Sequence, residues 1–185
     1  LLLFIPADIK SESGAPYDVF ADFYDRCLEL GEVRKCLPAV ETIPDPETWP
    51  DSVDVDDLAL LPDAPWYRGF ELRWQPGEAG ARKKLIRLKF KTIKSYAKNR
   101  RRLEMWGTSR ISPHLDFGEI SPYVLWHAVD GDSEGEEAYR KQLIRREFSH
   151  HCLYHFPETP DTPFNRDYAS FPWLENEELL MAWQQ

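Results

Sequence analysis

The 185 residues suffice for one domain, or for one domain with a long connector, and a chain of this length can bury roughly 70% of its unfolded surface. A net charge of -9 argues against nucleic acid as a whole-chain average, but the charge is segregated. No Lys or Arg lies between Lys35 and Arg68, where eight acids fall, whereas residues 82–102 hold 11 of the 23 basic residues and no acid, and local sign decides where an anion docks.

In chain order, apolar residues Val19, Phe20, Phe23, Tyr24, Cys27, Leu28 and Leu30 predict a helix over 19–30, with Gly31 as its stop. Pro38, Pro44, Pro46, Pro50, Pro62 and Pro65 follow among acids. Proline fixes φ and removes donors, so this stretch reads as an extended surface connector. Residues 1–63 are therefore expected to be a linker with one helix, and 64–185 a helical domain. Residues 82–100 predict a long helix with Ile86, Phe90, Ile93 and Ala97 inward, widened by Leu85, Leu88 and Tyr96, and with a basic outer face. Ser112-Pro113 and Ser121-Pro122 each look like an N-cap followed by proline at the first helical position. Ser133 with Glu136 forms a capping-box pattern for a helix from about 136 to 155, with Tyr139, Leu143, Ile144, Phe148 and Cys152 facing inward and Pro157 ending it. A last helix is expected over 177–183. No segment reads as a strand, so the fold class is all-α. The 7 Trp, 8 Tyr and 10 Phe imply core packing for the most part, with stacking surfaces as the alternative.

The longest apolar stretches, such as Leu1 to Ile5, are far too short to span a bilayer, and no secretory signal pattern is present. Cys27, Cys36 and Cys152 suit neither a disulfide framework nor a metal site, so a cytoplasmic setting is expected. His150, His151 and His155 lack further ligands at suitable spacing and are read as structural or ligand-side residues, with no metal; His114 and His127 are read as core or cap residues. The first residue is Leu, and the sequence reads as a piece of a longer chain.

The segment Gly107-Thr108-Ser109-Arg110-Ile111-Ser112-Pro113 carries the most chemistry. Glycine permits a tight turn, the hydroxyls donate, Arg110 offers a guanidinium fork, and a helix start favours an anion. That combination suits a pyrophosphate; the bland alternative is a capped turn with a surface arginine. The basic face over 82–102 suits phosphates by counterion release, against the alternative of a solvated helix face.

The run from Gly107 through His114, Phe117 and Glu119 to Ser121-Pro122 resembles the signature of DNA photolyases and cryptochromes. Other segments follow that family's order. They are Gly14 to Phe23, Trp74-Gln75-Pro76-Gly77-Glu78, Tyr96 with Arg100, Arg146-Glu147-Phe148-Ser149-His150-His151, Tyr154 to Pro157 and Phe171-Pro172-Trp173. The resemblance implies a light-dependent lyase that splits cyclobutane pyrimidine dimers in DNA with reduced FAD, or a cryptochrome photoreceptor on the same scaffold. A helical DNA-binding module without cofactor is a further alternative. By position, Tyr96, Thr108, Ser109, Arg110, Ile111, Ser112 and Tyr139 would contact FAD, and Arg100, Gln142, Arg145 and Arg146 would lie on the DNA side. No catalytic side chain is assigned. The resemblance also implies an interdomain linker followed by the first part of a helical FAD-binding domain. An antenna chromophore and the flavin-reducing tryptophans would lie outside these residues, leaving the chain inactive alone and the intact protein monomeric. Arg145 stands where photolyases typically carry Trp, and Gln142 where some carry an acid.

Overall fold

The structure is a computed structural model and describes residues 1–184. The described residues contain helices and turns and no strand. Two compact units divide the chain: Leu1–Leu3 with Leu30–Ile144, and Phe4–Glu29 with the chain from Arg145 onward.

The first unit begins with the connector. Residues 34–66 are exposed throughout and carry one short turn, Val55–Leu58. Trp49 and Trp66 are exposed here, and Trp173 and Trp183 are exposed in the second unit, so core packing does not account for most of the tryptophans. After the single turn α2 (Arg68–Glu71) comes α3 (Gly77–Arg87). Pro76 precedes it without a capping side chain, and the orphan amide of Gly77 donates instead to Glu119 Oε1 at 2.7 Å.

The predicted helix over 82–100 is a broken helical course. A π turn, Leu88–Thr92, and a tight turn, Ile93–Ser95, separate α3 from α4 (Tyr96–Asn99). The wide turn accommodates an extra residue, so Leu88, Thr92 and Tyr96 reach the core at four-residue intervals, joined by Ala81 and Ile93. Ile86 and Phe90 are 59% and 67% exposed and lie off the packed face. The expected inward stripe mixed two faces, because a uniform 3.6-residue period does not hold through a π turn.

Helix α5 (Ser112–Asp116) starts one residue earlier than the expected cap: Ile111 is the N-cap, Ser112 is inside the helix, and no side chain caps it. Helix α6 (Pro122–Ala128) follows the expectation, with Ser121 accepting from the Tyr123 amide. Helix α7 (Glu134–His155) opens with a reciprocal capping box. Ser133 N–H donates to Glu136 Oε2 at 3.2 Å and Glu136 N–H donates to Ser133 Oγ at 3.4 Å. Three acids in its first turn also complement the helix dipole. Tyr139, Leu143 and Ile144 enter the core of the first unit with Ile111, Leu125 and Val129.

In the second unit α1 (Phe20–Glu29) buries Phe23 and Cys27, and Gly31 takes φ +82 just beyond it, a left-handed stop. From Arg145 on, the fully buried positions of α7 are Glu147 and His151; the expected Phe148 and Cys152 are half-buried. Sequence polarity misplaced this face by one residue because both polar groups find partners. Glu147 accepts from the Phe4 amide and from Arg146, and His151 Nε2 accepts from the Tyr17 amide at 3.1 Å. His155 Nε2 donates to the Pro6 carbonyl at 3.1 Å. Helix α8 (Glu177–Gln184) closes the described chain.

Candidate functional site

The segment 107–112 is held from below. A Cβ at Gly107 would run into the backbone carbonyl of Asn99, so glycine lets the loop pass directly over the end of α4. Ile111 is fully buried and anchors the loop in the core. Thr108 and Ser112 are exposed, and Ser109 and Arg110 are half-buried. Arg110 takes φ +54, a left-handed conformation that costs an L-residue roughly 1–2 kcal/mol and marks a position whose backbone direction is imposed.

Three of the sequence-predicted residues meet at one wall. The Tyr96 and Tyr139 rings pack edge-to-face at 5.2 Å, and Tyr139 Oη donates to Ser109 Oγ at 3.4 Å. Burial pushes the Tyr139 phenol up to about 12, so it stays a protonated donor across the neutral range. Burial also raises Tyr96, opposed by the charge and hydrogen bond of Arg100, which places Arg100 against the same wall. Gln142 lies half-buried on α7 in this unit.

Arg145 and Arg146 belong to the second unit. The Arg145 guanidinium lies 3.9 Å from the centroid of the Phe20 ring, and Arg146 donates to Glu147 Oε1 at 2.8 Å.

Sequence reasoning missed two features beside the loop. Trp106 carries the Arg110 guanidinium at 4.0 Å and that of Arg87 at 5.0 Å, while Lys84 lies 4.8 Å from the Trp74 ring. The available signal was Trp106 directly before the loop, with basic residues at 84 and 87 one helical turn apart. Glu119 is the second. Besides capping α3 it accepts from His114 Nδ1 at 2.5 Å, since a carboxylate can only accept. The Gly77 amide first, and His114 second, hold its carboxyl below the usual range. His114 is buried as expected. It and Glu119 border an apolar cavity of about 490 Å³ lined by Tyr67, Phe70, Trp74 and Phe117.

No protein-family model matches the chain. Across 98% of its length the chain is 36% identical to the deoxyribodipyrimidine photo-lyase of Agrobacterium fabrum, of which it spans 39%. It is 30% identical over its whole length to the enzyme of that name from a Synechococcus strain, spanning 40% of it, and 29% identical to cryptochrome-1 of Arabidopsis thaliana, spanning 29%. The solved structure of a class III photolyase from Agrobacterium tumefaciens superposes with a TM-score of 0.90 at 35% identity, covering 98% of this chain and 39% of that one. The chain thus spans about two fifths of the photo-lyases it matches. The ordered motifs, the helical architecture and these matches agree: the chain belongs to the photolyase/cryptochrome family.

Proposed function

We propose that the whole protein is a light-dependent DNA repair flavoprotein that splits cyclobutane pyrimidine dimers, and that this chain supplies its phosphate-holding loop and part of its DNA face. The observation that carries this reading is the match, over nearly the entire chain in sequence and fold, to proteins named as photolyases. The loop fits a flavin dinucleotide. Gly107 lets the loop pass over the Asn99 backbone, Thr108 and Ser109 carry hydroxyls, with Ser109 against the Tyr96–Tyr139 wall, and Arg110 follows in a left-handed backbone conformation. When bound, reduced FAD supplies on excitation the electron that opens the cyclobutane ring. The residues of this chain bind and orient: the loop takes the phosphates, Tyr139 braces Ser109, and Arg100, Gln142, Arg145 and Arg146 serve the nucleic acid.

In this reading residues 1–63 form the interdomain linker and 64–185 the first part of the FAD-binding domain. The intact protein is monomeric and cytoplasmic, with an antenna chromophore bound elsewhere. No helix among the described residues is long and apolar enough to cross a membrane.

Similarity to cryptochrome-1 supports a second reading, photoreception without repair. The test is to illuminate the flavin-loaded whole protein with blue light in the presence of an oligonucleotide carrying one thymine dimer. Light-dependent loss of the dimer, with none in darkness, is expected. An intact dimer beside photoreduced flavin selects the photoreceptor, and a protein without flavin absorbance selects a cofactor-free DNA-binding module.

A further inference from the structure

Around Trp106 the charge balance is one-sided. Arg110 and Arg87 place their guanidinium carbons 4.0 and 5.0 Å from the same indole centroid, so the two cations are within roughly a Debye length of each other on any arrangement. Lys84 sits one helical turn before Arg87 and packs on Trp74. Its ammonium is held below the usual lysine range by burial first, then by the charges of Arg110 and Arg87. Elsewhere basic residues meet acids, as Arg82 meets Glu78, Arg102 meets Glu104 and Arg166 meets Glu158. None of Lys84, Arg87 and Arg110 has a carboxylate partner among the described residues. Cation–π contacts orient these groups but cancel no charge. A guanidinium stacked on a ring keeps its in-plane N–H edge open, the edge that matches two oxygens of a tetrahedral anion.

We infer that Lys84, Arg87 and Arg110, mounted on Trp74 and Trp106, form a phosphate-ester site that extends the anion-binding surface of the loop onto the end of α3. Two guanidinium groups on one indole, with a lysine one helical turn before the first of them, suit a pyrophosphate or closely spaced phosphodiesters better than a single carboxylate, and the exposed Thr108 lies two residues before Arg110 in the same loop. The site rests on the phosphate-holding role proposed for the loop, and its charges are independent of repair activity. The phosphate can come from a dinucleotide cofactor or from a DNA backbone, and the chemistry recognised is the same.

The test is calorimetric titration of the full chain with inorganic pyrophosphate, with the fold of each variant checked by circular dichroism. Saturable binding is expected. It weakens at least tenfold in Lys84→Gln/Arg87→Gln, changes less than twofold in Arg82→Gln, whose charge is paired, and stays within threefold in the charge-keeping Lys84→Arg/Arg87→Lys. Displacement of pyrophosphate by FAD, or by a short duplex, identifies the source and supports the site in either case. Absence of binding, equal affinity in the neutralised variant, equal loss in the charge-keeping one, or displacement by neither probe overturns it.

Discussion

At the scale of single residues, the loop is defined by an energetic cost. Arg110 occupies left-handed space, where glycine is relieved of roughly 1–2 kcal/mol but loses about 0.5–1 kcal/mol to its freer unfolded state. Arg110→Gly is therefore expected to be more stable than Arg110→Ala by about 0.5–1 kcal/mol in denaturant melts, the reverse of the usual order. An alanine variant as stable as the glycine one would mean that the loop backbone is not held this way. Arg145 poses a different question. Its guanidinium lies on Phe20, where the family resemblance leads one to expect a tryptophan available to a flipped base, and one aromatic–base stack is worth about 1–3 kcal/mol. If a missing stack limits the whole protein, Arg145→Trp will raise dimer affinity and repair yield together. No gain over a wild type that already repairs well would remove Arg145 from the lesion wall.

At the scale of elements, Glu119 joins the start of α3 to α5 through its bonds with Gly77 and His114. Its folded carboxyl lies below the ordinary value of 4.5, so it contributes stability that is full above about that pH and is lost as pH falls through the depressed folded value. Glu119→Gln should then flatten the acid limb of stability against pH, measured by thermal melts between pH 6 and about 2.5. An unchanged limb would show that the pairing does not persist in solution. No local pattern could expose this link, because Gly77 and Glu119 meet only in three dimensions. The capping box at Ser133 and the Ser121 cap were legible because each is a bond between near neighbours, and the stop at Gly31 because a left-handed φ favours glycine itself. The inward faces of α3 and α7 were legible only in part. A π turn broke the period at Leu88, and Glu147 and His151 are buried through partners, the Phe4 and Tyr17 amides, that lie more than a hundred residues away in the sequence. Of the candidate site, Tyr96, Tyr139 and Ser109 could be named from motif order and the fold brings them together, whereas which cations share the Trp106 ring depends on the path of the chain between residues 87 and 110.

At the scale of the whole molecule, an acidic connector precedes a basic helical segment, so the net charge of -9 conceals a locally positive stretch. If that face meets DNA, affinity will fall with salt at a log–log slope of about -0.9 per phosphate contacted, and neutralising Lys91, Lys94 and Lys98 together will flatten the slope. An unchanged slope would make the face a solvated one. The central claim is that the loop from Gly107 to Ser112 grips the phosphates of a flavin. Its most direct test is the FAD dissociation constant of the whole protein, wild type against Arg110→Ala, at fixed ionic strength. Charge-assisted bonds worth about 1.5–3 kcal/mol each predict a constant roughly ten to a hundred times larger in the variant. Equal constants, with equal flavin occupancy after extended dialysis, would contradict the account and return Arg110 to the surface.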